Sequence, residues 1–105
     1  MIAQTPKPPY YAVIFTSLRT EVDNGYESTA DRMVELAQQQ PGYLGHESAR
    51  NDIGITISYW ESVEAIKNWK ENAEHFMAQQ KGREEWYSNY KTRICLVERD
   101  YEFLK

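Results

Sequence analysis

Tyr10-Tyr11-Ala12-Val13-Ile14-Phe15-Thr16-Ser17-Leu18 is the stretch that decides the fold. It is rich in aromatic and β-branched residues and has no Gly or Pro, so it reads as a strand. Side chains of a strand alternate between faces. Tyr11, Val13 and Phe15 fall on one face, and Tyr10, Ala12, Ile14 and Leu18 on the other. A strand that is apolar on both faces is expected to be covered on both. Near the other end of the chain, Ile94-Cys95-Leu96-Val97 repeats this two-sided pattern.

Working outward, Asp23 or Asn24 is a candidate cap for a helix whose stripe is Tyr26, Ala30, Met33, Val34 and Ala37. Pro41-Gly42 ends that helix and turns the chain. Residues 43–50 make a second, polar strand. Asn51-Asp52 turns the chain into a third, where Ile53, Ile55, Ile57 and Tyr59 alternate with Gly54, Thr56, Ser58 and Trp60. Ser62 is an N-cap candidate for a short helix bearing Val63, Ile66 and Trp69, with a break or kink expected at Asn72. A second helical stretch is expected over 73–87, with Gly82 a weak point, and a last strand over 92–99. The tail Tyr101-Glu102-Phe103-Leu104 is expected to pack, because it carries three large apolar groups.

The order is strand, helix, strand, strand, helix, strand. Right-handed crossovers place both helices on one face of a four-stranded antiparallel sheet, the ferredoxin-like α+β arrangement βαββαβ. The other face is left bare although strands one and four are apolar there. Sheet-to-sheet pairing of two copies would cover it, giving a dimeric α+β barrel. The expected organisation is an extended arm over 1–9, marked by Pro6, Pro8 and Pro9, and one domain over 10–105.

Composition narrows the classes of partner. Against 12 Lys and Arg stand 16 Asp and Glu, a net charge of -4 with no basic cluster, which argues against nucleic acid. No apolar run approaches a membrane span, and residues 1–9 lack a signal-peptide core, so cytoplasm is the expected compartment. The single Cys95 excludes an internal disulfide and is expected to pack. His46 and His75 lie on different elements, no metal-ligand spacing is present, and no metal is expected. No phosphate-binding glycine loop or nucleophile elbow appears.

Aromatics are dense: eight Tyr, three Trp and three Phe in 105 residues. The densest cluster spans 60–90 and includes Trp60, Trp69, His75, Gln79, Arg83 and Trp86. An aromatic-lined cleft under the helices would suit a small flat aromatic molecule, oriented by His75, Gln79 or Arg83. Each residue also has a plain structural reading. Trp69 with Ile66 and Phe76 suits a core, His75 suits a solvated helix surface, and Arg83 suits an ion pair with Glu84 or Glu85. Trp60 at a strand end suits either, and Trp86-Tyr87 suits packing against the tail or a second subunit.

Ser58-Tyr59-Trp60-Glu61-Ser62-Val63-Glu64-Ala65-Ile66-Lys67-Asn68-Trp69-Lys70 resembles the antibiotic biosynthesis monooxygenase family. So do Glu74-His75-x-x-Ala78-Gln79-x-x-Gly82-Arg83-x-x-Trp86-Tyr87 and the turn Gln40-Pro41-Gly42-Tyr43. The resemblance covers residues 10–100 and implies a dimeric α+β barrel with a cleft between helices and sheet in each subunit. It implies cofactor-independent oxidation of a quinol or polycyclic phenol by O2. On that pattern Trp60 and Trp69 would wall the site; from their place in the aromatic cluster, Gln79 and Trp86 are also expected to bind substrate. His75 or Arg83 would bind or polarise a phenolate. A second branch of the family degrades haem with an Asn–Trp–His set. Here Trp69 fits that set, but Gln79 stands where the haem-ligating His would be and residues 10–18 hold no Asn, so haem is disfavoured. A dimeric module that binds small molecules without turnover is the alternative outside enzymology.

Overall fold

The decisive stretch forms β1 (Tyr10–Arg19), and the elements α1 (Tyr26–Gln38), β2 (Tyr43–Arg50), β3 (Gly54–Trp60), α2 (Val63–Gln80), α3 (Arg83–Trp86) and β4 (Tyr87–Val97) follow it. The computed structural model describes the chain apart from residues 81 and 82 and the side chains of residues 78–84. The strands make one sheet in the order β2-β3-β1-β4, with every neighbouring pair antiparallel. The βαββαβ plan holds, with the single turn α3 added before the last strand.

Four local expectations are corrected. Asn72 does not break the second helix: its Nδ2 donates to the Asn68 carbonyl at 2.9 Å and α2 runs through it. Its amide bonds one turn back along the outside of the helix and leaves the backbone ladder intact. The helical stretch does not reach Tyr87. β4 begins there and ends at Val97, because Tyr87 to Tyr90 pair with the far end of β1 across a bulge at Leu18/Arg19. Neither Asp23 nor Asn24 caps α1. Asp23 meets the Arg19 guanidinium at 3.5 Å and the Asn24 carbonyl accepts from Trp86 Nε1 at 3.0 Å, so Gly25, at φ 76, turns the chain into the helix. The tail does not pack within the chain: Tyr101, Phe103 and Leu104 are all exposed. The Ser62 cap is present, its Oγ accepting from the Ala65 N–H at 3.1 Å.

The core lies between the helices and the Trp60 end of the sheet. Ala37, Trp60, Ala65 and Ile66 are buried there, with Tyr11, Val13, Tyr43 and Trp69 packed against them. Small residues on α1 and α2 let both helices approach the indole of Trp60, which has no exposed surface. Gly42, at φ +87, turns the chain into β2 where that turn touches α2. A Cβ at this position would stand 2.6 Å from Ala65 Cβ. The positive φ and the close approach together require glycine.

The opposite, outer face of the sheet carries Ala12, Ile14, Ile57, Cys95 and Val97, with Leu18 and Ile55 exposed toward one end. At the other end the face is polar and covered by the N-terminal arm. Glu47 accepts from the Tyr59 hydroxyl at 2.7 Å and from the Ala3 N–H at 2.9 Å. These two bonds, the tyrosine's first, hold the carboxyl below the usual carboxylate range. Tyr10 donates to Asp100 at 2.6 Å and accepts from Thr5 at 3.0 Å, so arm and tail meet at one hydroxyl. No described helix is long and apolar enough to cross a membrane.

Candidate functional site

The helix side of the sheet is built in rows, because antiparallel register sets side chains of one parity beside one another. Tyr43, Trp60, Tyr11 and Leu96 make the row at the core end. Next come His46, Ser58, Val13 and Ile94, then Ser48, Thr56, Phe15 and Thr92. The last row is Arg50, Gly54, Ser17 and Tyr90. A bulge between Tyr43 and Gly45 puts Tyr43 and His46 on the same face despite their spacing of three.

Side-chain size varies along these rows in a way that leaves space. Large aromatics fill the core end, but Ser58, Thr56 and Ser48 are small, and Gly54 has no side chain. The helices pack over β2 and β3, and the helix side of β4 stays open: Ile94 is 55% and Leu96 49% exposed. The result is a trough over β1 and β3, open along β4. By register, Val13, Phe15, Thr56 and Ser58 lie along it, with the row of Trp60, on which Trp69 stacks, at one end and the row of Arg50 at the other, where Tyr87 meets Phe15. From the Trp60 row to the Gly54 row is six residues, roughly 20 Å of strand, long enough for a fused-ring molecule.

The six sequence candidates do not gather into one cluster. Trp60 is wholly buried, its Nε1 donating to Ser58 Oγ at 2.8 Å. It stacks on Trp69 at 6.0 Å and 22° and meets Tyr43 edge-on at 5.6 Å. It therefore stands behind the end wall, and Trp69, half-buried on α2, is the indole nearer the opening. Trp86 is buried in a different place: its ring meets Tyr26 edge-on at 5.6 Å, and its indole N–H holds the Asn24 carbonyl. Within the chain it packs against Tyr26 and not against the exposed tail. His75 occupies an exposed position of α2, off the inward stripe of Ile66, Trp69, Ala73 and Phe76. The side chains of Gln79 and Arg83 lie outside the described residues.

Two β2 residues that were not site candidates share rows with its floor. His46 lies in its second row, where Nδ1 shares a hydrogen bond with the Tyr43 hydroxyl. That bond fixes the ring; in the tautomer protonated at Nδ1, Nε2 is the basic position. Burial raises the Tyr43 pKa, so this hydroxyl stays neutral beside the ring. Arg50 crosses β3 in the last row to reach Ser17 on β1. The available signal was the polarity of β2 at alternate positions, His46, Ser48 and Arg50, on a face the helices should make apolar.

Around the closed end, Phe15 contacts Tyr87 at 5.5 Å and Tyr90 at 5.2 Å, and Tyr26 contacts Tyr87 at 5.9 Å. Burial is the main cause that pushes the Tyr87 phenol far up, with its bond to Tyr26 adding to it. Arg19 lies over the Tyr26 ring at 3.4 Å and donates to the carbonyls of Trp86 and Val22. Through Nε and Nη2 it ties the end of β1 to the Trp86 turn and to the loop before α1. A separate recess of about 410 Å³ opens between residues 1–4 and the edge of β2, with His46 and Glu47 on its wall. Among the described residues no three His, Cys, Asp or Glu side chains converge as a metal site.

Fold and trough together define a ferredoxin-like α+β domain with an aromatic-ended groove between helices and sheet. The chain belongs to the antibiotic biosynthesis monooxygenase family, whose model matches residues 9–81. It is similar to an uncharacterized protein, YqjZ, of Bacillus subtilis (strain 168), at 51% identity over 104 residues, 97% of this chain and 91% of the relative. It is 26% identical over 87 residues to the jasmonate monooxygenase ABM of Pyricularia oryzae. That match takes in 83% of this chain, which spans about a third (35%) of the fungal protein. Among solved structures, a variant of SnoaB, a cofactor-independent oxygenase from Streptomyces nogalater, superposes with a TM-score of 0.72 at 13% identity. The match covers 87% of this chain and 95% of that one, a likeness of fold.

Proposed function

We propose that the chain is a cofactor-independent monooxygenase acting on a quinol or polycyclic phenol held in the trough. The observation that carries this reading is the row that sets His46, hydrogen-bonded through Nδ1 to Tyr43, beside the small Ser58 on the helix side of the sheet, with aromatic rings at both ends of the strip. A phenol with an acidic adjacent carbon needs only binding, deprotonation and a dry site to pass electrons to O2. For a ring methylene, one methylene and one O2 give one ring carbonyl and one water. The methylene supplies all four electrons, one oxygen atom stays on its carbon, and the other leaves as water with both methylene hydrogens. Nε2 of His46 takes the proton, Tyr43 orients the ring, and Trp69 stacks on the substrate. His75 and Arg83 keep the role that the family pattern implies for them, to bind or polarise the phenolate.

The test is O2 uptake by the metal-, flavin- and haem-free protein with 1,8-dihydroxyanthrone and a naphthoquinol. One O2 consumed per substrate is expected, with kcat falling about 10²-fold in His46→Ala and KM rising in Trp69→Leu. Uptake no faster than autoxidation in buffer would leave a binding module as the better reading. A Soret band on adding haemin, lost in His75→Ala, would favour the haem branch.

We further infer that the working form is a homodimer joined through the outer sheet faces. Ile14, Ile57, Leu18, Ile55 and Cys95 form an apolar surface on that side, the kind that lone soluble domains seldom leave open. Sedimentation at micromolar concentration is expected to give a dimer for the wild-type chain and a folded monomer for Ile57→Asp. A wild-type monomer sinks the interface.

A further inference from the structure

Arg50 is held in place more firmly than its exposure would suggest. Its guanidinium lies against Gly54, which is buried, and a Cβ at Gly54 would fall among Cζ, Nη2 and Nε. Beyond the glycine, Nη2 donates to Ser17 Oγ at 2.5 Å, and Ser17 is 1% exposed. A missing side chain on β3 and a buried hydroxyl on β1 therefore hold the cation at the closed end of the trough. Among the described residues no carboxylate reaches Arg50 within ion-pair distance, while Arg19 and Arg32 each have one. Among the described residues Ser17 is the one side-chain partner of its guanidinium, which leaves most of its five N–H donors for a ligand. The nearby aromatic surface is Phe15, Tyr87 and Tyr90, and the Tyr87 hydroxyl feels the Arg50 charge.

We propose that Arg50 is the anion anchor of the trough and that the substrate is a planar aromatic carrying a carboxylate at one end. This rests on the trough being the substrate site. A guanidinium fork matches a carboxylate with two parallel bonds. Arg19 has Nε and Nη2 bonded to Trp86, Val22 and Asp23 and its face on the Tyr26 ring, so among the described residues Arg50 is the cation better placed to face the trough. One fork suits a monoanion, whereas a phosphate dianion calls for more positive charge. With the carboxylate on Arg50, the rings lie along Phe15 and Thr56 toward Ser58, and the reacting carbon comes to the His46 row. Arg50 thus sets specificity and register.

Binding of 2-naphthoate and its neutral methyl ester, followed by calorimetry on the full-length protein, tests this. Naphthoate is expected to bind at least about tenfold more tightly than the ester. Arg50→Gln should erase that preference and leave ester affinity within about twofold. Gly54→Ala should do the same from a distance, because its methyl displaces only the flexible end of Arg50 and leaves the melting temperature essentially unchanged. Arg50→Lys should restore part of the preference. A preference that survives both Arg50→Gln and Gly54→Ala overturns the anchor, as does failure of the wild-type protein to bind naphthoate at millimolar concentration. Thr56→Phe, which fills the floor, keeps the two readings apart. If it blocks the ester but naphthoate shows no preference, the anchor falls and the trough stands. If it weakens neither ligand, the trough itself falls as the binding site.

Discussion

Trp60→Ala is expected to leave the domain barely folded, with a loss of about 3–5 kcal/mol. Trp60 has no exposed surface and touches both Trp69 and Tyr43, so removing it opens a cavity that the backbones of α1 and α2 cannot easily close. Domains of this size have about 5–15 kcal/mol of stability in total. The expected drop in melting temperature exceeds about 12 °C, read by circular dichroism or urea denaturation. Trp60→Phe should lose much less, since a ring still separates Trp69 from Tyr43. A Trp60→Ala protein melting within a few degrees of wild type would show that the core lies elsewhere.

Gly42→Ala is expected to cost about 2–5 kcal/mol, and for two separable reasons. A left-handed backbone costs an L residue about 1–2 kcal/mol, and an overfilled contact adds about 1–3 kcal/mol. Gly25 isolates the first term. It has φ +76, but nothing lies within 4 Å of where its Cβ would stand. Gly25→Ala should therefore cost about 1–2 kcal/mol. The difference between the two urea midpoints measures the clash with Ala65. Equal midpoints would mean that the turn yields and that α2 is not seated on it.

The fold was legible because its signals are local and redundant. The two-sided apolar pattern of residues 10–18, the stripe from Tyr26 to Ala37, the Pro41-Gly42 turn and the Ser62 cap each act within a few residues. The start of β4 was hidden for the opposite reason. Tyr87, Ser88, Asn89 and Tyr90 show no alternation, and what makes them a strand is the free edge of β1, far away in the chain. The site was less legible still. Reading along the chain groups Trp60, Trp69 and Trp86, but packing separates Trp86 from the other two. The residues that share the trough come from four strands. Arg50 gains its place from Gly54 and Ser17, and no spacing in the sequence announces that the three meet. His46 was visible as a histidine, but the bulge before it hid the face it takes.

The strand order has a consequence for how the chain comes together in time. β1 is made first, sits inside the sheet, and takes β3 and β4 as neighbours. The Tyr10↔Val97 pairing spans nearly the whole chain. During synthesis, one side of β1 thus waits with its backbone groups unsatisfied until the last strand leaves the ribosome. Contacts so distant in sequence close slowly. The most apolar stretch of the protein is also the one exposed longest, which makes it the segment where a nascent chain is most vulnerable to wrong pairing.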